Sequence, residues 1–368
     1  MLQGHATADG TARYASRFPD FGGNYRPMLE MSVCSVGIGT YLGEEDDPID
    51  ASYANAIRAA LIGGINLIDT AVNYRCQRSE RVIGRVMAEL GSEGQVRRDE
   101  IVIATKGGYV AFDGAMPADP RGWFEDKFLR PGIVKPEDLV QGSHCMTPRY
   151  LEAMLDVSRA NLGLESIDIY YVHNPESQLS AVSRDEFLAR MRSAFEFLEG
   201  ATAAEKIACY GIATWNGFRL KPNEPGYLSL ADLVGVAKTV GGADHHFRVI
   251  QLPYNLAMTE ALTLRNQTLP GGDQVSLLAA ADAMGIAVCA SASLLQGQLT
   301  SRLPAMLQSA FPGMDSDAQR SIQFVRSTPG IGVALVGMSS ASHVAHNLAT
   351  LKHPPSTDAL MKLFTQPD

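Results

Sequence analysis

The sequence predicts an α/β protein whose fold is a (β/α)8 barrel of the TIM type, with long loops at its C-terminal face. Three observations predict this fold. Eight short apolar runs recur along the chain, amphipathic helical patterns separate them, and polar or small residues stand at the ends of seven runs. The length of 368 residues suits one barrel domain, because such domains commonly reach or exceed about 250 residues.

The eight apolar runs are interpreted as strands that are buried on both faces. They are nearly continuous and rich in β-branched residues, which is typical of parallel strands covered by helices. The runs span residues 33–38, 65–68, 101–105, 167–172, 207–213, 249–252, 286–290 and 331–336.

Between the runs, apolar residues recur at the spacing of one helical face. Thr147 followed by Pro148 predicts an N-cap and a proline at the first helical position. Ser183 and Glu186 have the spacing of a capping box before a second helix. The apolar stripes of these two helices are Leu151, Met154, Leu155, Ser158 and Leu162, and Phe187, Met191, Ala194, Phe195 and Leu198. We interpret both stripes as helix faces that pack on the sheet.

The ends of the runs favour a closed barrel over a doubly wound sheet. In a barrel, chemistry gathers at the C-terminal ends of many strands, whereas an open sheet binds ligands at one switch point. Here the residues at the ends of the second to eighth runs are Asp69, Lys106, His173, Thr214, Gln251, Ser291 and Gly337. A ring of such groups from seven strands is difficult to place on an open sheet.

The domain organisation follows from these elements. We predict an N-terminal extension over residues 1–30, a single barrel domain over 31–352 and a C-terminal tail over 353–368. Residues 107–146, which are rich in Gly, Pro and Asp, form a long insertion after the third run. Segments 215–227 and 253–272 follow the fifth and sixth runs, so all three are candidate lids or specificity loops. A disordered excursion is the alternative for the first.

Composition excludes several classes of function. There are 31 Lys and Arg against 40 Asp and Glu, a net charge of −9, and no basic run, so a nucleic-acid partner is not expected. No apolar run approaches the roughly 18 residues of a membrane span, and the N-terminus lacks the apolar segment of a secretory signal. The five cysteines are Cys34, Cys76, Cys145, Cys209 and Cys289. An odd number without a C-x-x-C pair favours reduced thiols in a cytoplasmic protein.

Four residues at successive strand ends suggest the chemistry. Asp69 and Tyr74 follow the second run, Lys106 the third and His173 the fourth. A carbonyl that accepts a hydride needs a proton, which a phenol can donate, although free tyrosine has a pKa of about 10. A neighbouring ammonium stabilises phenolate and lowers that pKa.

We therefore assign Tyr74 as general acid and Lys106 as the group that tunes its pKa. Asp69 is assigned to keep the lysine charged and oriented. His173 is assigned to donate a hydrogen bond to the carbonyl oxygen and so orient the substrate.

The pattern GINLIDTAVNY over residues 64–74, followed by Ser79 and Glu80, resembles the signature of the aldo-keto reductases. Lys106 and His173 fall where the rest of the catalytic tetrad of that family belongs. The resemblance extends along nearly the whole chain, and is weak in the first thirty residues and in 107–146. The segments SASLLQGQLTSRLP (291–304) and FVRSTPGIGVALVGMSSASHVAHNL (324–348) are most similar to the bacterial and potassium-channel-β-like branch.

The resemblance implies a (β/α)8 barrel that binds NADP(H) across its C-terminal face, with NAD(H) as the alternative cofactor. Gln251 matches the residue that binds the nicotinamide carboxamide. Leu294, Gly297 and Leu299 match the loop over the pyrophosphate, and Arg302 stands where a basic residue often meets phosphate. Gly337, Ser339, His343 and Asn347 match the segment that binds the adenosine phosphate, and their spacing suits a helix N-terminus facing an anion.

Four positions depart from the family pattern. The usual Ser-Asn after the fifth strand is replaced by Ala213 and Thr214, so Thr214 and Asn216 are the candidates to hold the carboxamide. Ser291 replaces the aromatic residue that stacks on nicotinamide, and Trp215 is the candidate substitute ring. His343 stands at a position that is often Gln or Arg, which affects the preference for NADPH over NADH.

The resulting prediction is an NADP(H)-dependent oxidoreductase that reduces a small aldehyde or ketone to an alcohol. One alternative is a redox-neutral lyase, isomerase or dehydratase that uses the same four residues. Another is a cofactor-sensing regulatory subunit with vestigial turnover.

Three pairs of potential metal ligands, each with at least one histidine, occur elsewhere in the chain. The pairs are His144 with Cys145, His245 with His246, and His343 with His346. No third ligand of suitable type is spaced near any of them. We therefore expect no metal site and interpret these histidines as surface or loop residues.

Overall fold

A computed structural model describes residues 1–365. Eight parallel strands close into a barrel in the order β11-β12-β3-β4-β5-β6-β7-β8. Their bounds are β3 (Val36–Gly39), β4 (Leu67–Asp69), β5 (Val102–Gly107), β6 (Ile167–His173), β7 (Ile207–Ala213), β8 (Phe247–Pro253), β11 (Ala287–Ser291) and β12 (Val333–Gly337). The predicted (β/α)8 barrel is confirmed, and the alternative of an open doubly wound sheet is wrong.

Helices surround the barrel and follow the strands along the chain. They are α1 (Ala8–Ala15), α2 (Asp47–Gly63), α3 (Arg78–Ser92), α4 (Pro120–Phe124), α5 (Pro148–Leu162), α6 (Arg184–Ala203), α7 (Leu230–Gly241), α8 (Glu260–Thr263), α9 (Leu277–Ala283), α10 (Ala305–Ala310), α11 (Asp317–Ser327), α12 (Ala341–Leu348) and α13 (Thr357–Thr365). Both predicted helix starts are observed, at Pro148 and after Ser183. The Ser183 hydroxyl accepts from the backbone N–H of Glu186, whereas the Thr147 side chain makes no capping bond.

The first apolar run, residues 33–38, does not form the single strand that the sequence predicts. It contributes to two elements, β2 (Met31–Cys34) and β3, with Ser35 between them. β2 pairs antiparallel with β1 (Tyr25–Met28) in a hairpin that precedes the barrel. Met28 and Met31 of this hairpin pack in the same apolar cluster as the barrel residue Leu67. The hairpin therefore covers the apolar interior at the N-terminal end of the barrel.

The insertion at 107–146 is a folded segment. It contains α4, a π-helical turn (Glu125–Leu129) and a 3-10 turn (Pro136–Asp138). Phe124, Phe128 and Val134 pack with Val72 and with Tyr150 of α5 in an apolar cluster separate from the barrel core. The segments at 215–227 and 253–272 are shorter, and the second contains α8 and the two-residue strand β9 (Gln267–Thr268), which pairs with β10 (Gln274–Val275).

The terminal segments are tied to the barrel by a buried arginine. Arg326 of α11 donates hydrogen bonds to the Asn24 side chain and to the carbonyls of Thr350 and His353. Burial lowers the pKa of Arg326 to about 9. α13 lies in the predicted C-terminal tail, of which residues 366–368 lie outside the described residues.

Two further properties bear on the class of protein. No helix within residues 1–365 combines the length and the apolarity needed to cross a bilayer. All five cysteines are buried and make no disulfide.

The close packing of α3 on α5 generates a testable prediction. A Cβ at Gly84 would lie 2.4 Å from the carbonyl oxygen of Asn161, whereas a Cβ at Gly91 would meet nothing within 4 Å. Gly84→Ala should lower the free energy of unfolding by about 1–3 kcal/mol, because the added methyl group collides with the backbone of α5. Gly91→Ala, in the same helix, should raise it by up to about 1 kcal/mol. Urea unfolding followed by circular dichroism measures both, and equal effects would contradict the packing.

Candidate active site

A cavity of about 1010 Å³ opens at the C-terminal ends of the barrel strands. Its lining includes the last residues of six strands, namely Gly39, Asp69, His173, Ala213, Ser291 and Gly337, and also Gln251 of β8. Parallel strands deliver their carboxyl ends to one face of a barrel, which is where ligands bind. The predicted catalytic residues Asp69, Tyr74 and His173 all line this cavity. Lys106 is buried and contacts Asp69 and Tyr74.

Lys106 of β5 is held by three oxygen atoms. Its Nζ lies 2.7 Å from Asp69 Oδ1, 2.7 Å from the carbonyl oxygen of Thr70 and 3.2 Å from Tyr74 Oη. The side chain is 1% exposed. Because an ammonium group has three donors, this arrangement leaves none of them unpaired.

The turn after β4 explains why Tyr74 reaches the lysine. Thr70 donates its backbone N–H to the carbonyl of Ala104, and Val72 donates to the carbonyl of Lys106. These bonds hold the turn on the neighbouring strand β5. Tyr74 therefore lies over Lys106, with Nζ 4.8 Å from the centroid of its ring.

Burial and charge act in opposite directions on this pair. Burial lowers the pKa of Lys106, but Asp69 and Tyr74 outweigh that effect, so the pKa is raised and the ammonium is kept. Burial raises the pKa of Tyr74, and Lys106 opposes it without cancelling it. From the sequence we expect Lys106 to lower the pKa of this phenol toward working pH. In the folded protein desolvation is the larger effect, and the phenol stays protonated.

His173 ends β6 and is held as a neutral imidazole. Burial, the charge of Lys106 and the neighbouring His144 lower its pKa well below the usual value. Its ring lies edge-on to Tyr74 and to Tyr109, at centroid distances of 6.0 and 5.1 Å. Its Nδ1 is buried without a hydrogen-bond partner among the described residues.

Gln251 connects two sides of the barrel. Its Nε2 donates to Asp69 Oδ2 at 2.7 Å, across 182 residues of sequence. The amide orientation is thereby fixed, and no hydrogen bond within residues 1–365 uses its Oε1. Asp69 thus binds Lys106 through one carboxylate oxygen and Gln251 through the other.

Glu176, which is not among the predicted site residues, organises the turn after β7. Its Oε1 accepts hydrogen bonds from the Thr214 hydroxyl at 2.5 Å and from the backbone N–H groups of Trp215 and Asn216. The Thr214 hydroxyl also accepts from the N–H of Gly217 at 2.8 Å. Burial raises the pKa of Glu176, and these hydrogen bonds oppose it. No local motif marks this glutamate, because its partners lie 38 or more residues away.

The predicted cofactor residues divide into two groups. Those that line the cavity are Thr214, Gln251, Ser291, Leu294, Gly297, Gly337, Ser339, His343 and Asn347. Asn216, Leu299 and Arg302 do not line it. Asn216 and Arg302 are exposed, and the backbone of Arg302 is left-handed with φ 62°. Trp215, proposed as a substitute ring, lines the cavity and is 39% exposed.

The end of the cavity at β12 is built on the start of α12. Ser340 caps this helix by accepting from the N–H of His343. Ser52 of α2 donates to the carbonyl of Ser339 at 2.6 Å, which fixes the preceding turn. His346 lies 2.7 Å from the Ser316 hydroxyl, and Asn347 is 5% exposed.

Two of the paired histidines lie in loop segments and are buried. His144 is 0% exposed and His245 is 4% exposed. Within residues 1–365 no three His, Cys, Asp or Glu side chains are placed to hold a metal ion together.

The turn at Glu176 provides a second prediction. Glu176→Ala should lower the free energy of unfolding by roughly 2–4 kcal/mol, because it leaves three donors without an acceptor. It should also shift the emission of Trp215 to longer wavelength, measured with Trp123→Phe as background. Glu176→Gln keeps a side-chain oxygen as acceptor, so it should retain the emission of the parent protein. Identical behaviour of the two variants would contradict this role of the carboxylate.

Comparisons with known proteins identify the family. The model of the "Aldo/keto reductase family" matches residues 35–221. The chain is 27% identical over 191 residues to "Aldo-keto reductase YhdN" of Bacillus subtilis (strain 168), covering 52% of this chain and 46% of that protein. It is 28% identical over 188 residues to "D-threo-aldose 1-dehydrogenase" of Pseudomonas sp, covering 51% of this chain and 50% of that protein.

The matched region thus spans about half the length of these curated relatives. A solved aldo/keto reductase from Klebsiella pneumoniae, in complex with NADP and acetate, has the same fold with a TM-score of 0.61 and 20% identity, over 94% of this chain and 96% of that chain. Because the family model covers half of the sequence, the chain belongs to the aldo/keto reductase family.

Proposed function

We propose that the protein is an NADP(H)-dependent oxidoreductase that reduces a small aldehyde or ketone to an alcohol. The observation that supports this most is the grouping of a protonated phenol, a buried ammonium and a neutral imidazole around one cavity. These are the groups needed to deliver a proton to a carbonyl oxygen and to hold that oxygen in place.

Tyr74 is proposed as the general acid. Tyr74 lines the cavity, and its hydroxyl lies 3.2 Å from Lys106 Nζ. As the phenol gives its proton to the developing alkoxide, the adjacent ammonium stabilises the phenolate that remains. Asp69 keeps the ammonium charged and in position through its 2.7 Å contact.

His173 is proposed to orient the substrate. A neutral imidazole has one N–H donor, and with Nδ1 buried, Nε2 is the nitrogen left to face the carbonyl oxygen. A hydrogen bond from Nε2–H to that oxygen polarises the carbonyl and places it next to Tyr74 Oη.

The cavity fits a dinucleotide cofactor. Its volume is at the upper end of the usual range for ligand pockets, about 300–1,000 Å³. Gln251 Oε1 and the ring of Trp215 are proposed to meet the nicotinamide. Ser339, His343 and Asn347 are proposed to meet the adenosine phosphate at the start of α12. When bound, the reduced cofactor supplies the hydride that the carbonyl carbon accepts.

The choice between NADP(H) and NAD(H) is proposed from a structural relative. The Klebsiella relative is solved with NADP, and we propose NADP(H) for this chain with NAD(H) as the second cofactor. Thr214 is a weaker candidate for the carboxamide, because its hydroxyl already donates to Glu176. Cytoplasmic location is proposed from the five buried free thiols, which suit a reducing compartment.

The first test of the proposed function is Tyr74→Phe. Turnover should fall by more than about a hundredfold, because general acid catalysis contributes that much or more. NADPH affinity, followed by quenching of Trp215 emission, should stay within about twofold. Tyr25→Phe is the matched control, because that hydroxyl bonds to the carbonyl of Gly64 near the N-terminal end of the barrel, and it should retain turnover. Turnover retained by Tyr74→Phe would refute the assignment.

A second test is the pH profile of Lys106→Met. Alcohol oxidation needs the phenolate, so its rate rises with pH through the pKa of Tyr74. Lys106 lowers that pKa against the effect of burial, so its removal should move the rising limb to higher pH and reduce the maximal rate. Steady-state oxidation rates across the alkaline range measure this shift. If the rate rises over the same pH range in Lys106→Met as in the parent protein, Lys106 does not lower the pKa of Tyr74.

A further inference from the structure

His144 lies near the end of the insertion and contacts Tyr109 and His173, which line the cavity. It forms antiparallel bridges with Tyr109 and Val140, and its neighbour Cys145 donates its backbone N–H to the carbonyl of Gly108. The imidazole is 0% exposed. The end of the insertion therefore pairs with its beginning at Gly108 and Tyr109, and the imidazole of His144 is buried between them and the barrel.

Both nitrogens of His144 have partners of known chemistry. Nε2 lies 2.7 Å from the carbonyl oxygen of His173, and Nδ1 lies 2.8 Å from Gln178 Nε2. The orientation of the Gln178 amide is fixed because its Oε1 accepts from Arg190 Nη1 at 2.5 Å.

These partners allow one protonation state. A carbonyl oxygen only accepts and an amide N–H only donates, so the ring carries its hydrogen on Nε2 and a lone pair on Nδ1. Burial lowers the pKa of His144 to about 4. The ring is therefore a neutral imidazole with one fixed tautomer at neutral pH.

The bond to His173 completes a strand end. In the pairing of β5 with β6, the last partners are Gly107 and Val172. His173 lies one residue beyond the end of β5, so its carbonyl on that side has no strand partner, and His144 supplies the donor instead. A Cβ at Gly108 would lie 2.9 Å from this carbonyl oxygen and 3.1 Å from His144 Nε2. Glycine at 108, with φ 147°, thus permits the approach.

Tyr109 connects the two imidazoles a second time. Its ring lies edge-on to His144 and to His173, with centroids 5.1 Å apart in each case. Its hydroxyl accepts from Asn174 Nδ2 at 3.1 Å. The backbone and the ring of His173 are therefore both fixed by groups that the insertion contributes.

We propose that His144 is a positioning residue for His173, through which the insertion fixes the strand end that presents the catalytic imidazole. The proposal rests on the proposed function only in the role it gives to His173. Without the Nε2–H donor, the carbonyl of His173 loses its hydrogen bond on the side of β5, and the imidazole loses its fixed orientation. Small misplacements of catalytic groups can cost about a hundredfold in rate.

The test compares three substitutions of His144 with one control. His144→Phe keeps the ring and removes both hydrogen bonds. His144→Gln puts an amide N–H near the position of Nε2, and His144→Asn reaches only the position of Nδ1. His246→Phe is the control, because that imidazole bonds to Glu199 next to the start of β8, at the opposite end of the barrel.

We expect His144→Phe and His144→Asn to lower kcat by about ten- to a hundredfold, with NADPH affinity within about twofold of the parent protein. His144→Gln should stay within about fivefold, and His246→Phe should match the parent protein. The Gln and Asn variants keep the test decisive if the Phe variant does not fold. Equal kcat for His144→Gln and His144→Asn would overturn the proposal.

A second measurement does not depend on turnover. In ¹⁵N-histidine NMR spectra, the signals missing from His144→Phe belong to His144, and those missing from His173→Gln belong to His173. His144 should show the neutral Nε2–H pattern with no change between pH 5.5 and 8. The His173 signals should move in His144→Asn and not in His144→Gln.

The two readouts separate the inference from the proposed function. A parent protein that reduces no carbonyl compound, but whose His173 signals move as expected, would refute the proposed function and keep the positioning role. His173 signals unmoved in both His144→Asn and His144→Phe would overturn the positioning role, whatever the turnover.

Discussion

A buried ammonium group is the constraint on which the site depends. Removing a charge from water is costly unless every donor is accepted and an opposite charge lies close. Lys106 meets this demand with Asp69, Tyr74 and the carbonyl of Thr70. Because each partner must stay within hydrogen-bond distance, the lysine fixes the turn after β4 and, through Asp69, the amide of Gln251 on the far side of the barrel.

The same burial sets the charge states of the groups around the cavity. Low local polarity disfavours phenolate and imidazolium alike, so the pKa of Tyr74 is raised and that of His173 is lowered. Lys106 stays charged because the carboxylate of Asp69 is in contact with it. The result is a protonated phenol next to a neutral imidazole, with the ammonium of Lys106 in contact with the phenol. This combination suits the proposed carbonyl reduction and follows from solvent exclusion as much as from residue identity.

Strand ends in a barrel do not hold functional groups in place by themselves, since the hydrogen bonds between neighbouring strands stop where the loops begin. Here two side chains from outside the strands continue the pairing. Glu176 collects the donors of the turn after β7, and His144 supplies the donor missing beyond β5. The insertion that brings His144 packs on an apolar cluster of its own, so the geometry near His173 is supported independently of the barrel core.

The sequence by itself determined the barrel and the four grouped residues. Strand period, helix caps and the motif around Asp69 and Tyr74 are local patterns, and parallel strands bring their carboxyl ends together whatever the loops do. Tertiary structure alone decided the split of the first run, the burial of His144 and the role of Glu176. It also decided that desolvation outweighs Lys106 in the pKa of Tyr74. These features depend on contacts between residues far apart in the chain and on exclusion of water, and neither is encoded in a local pattern.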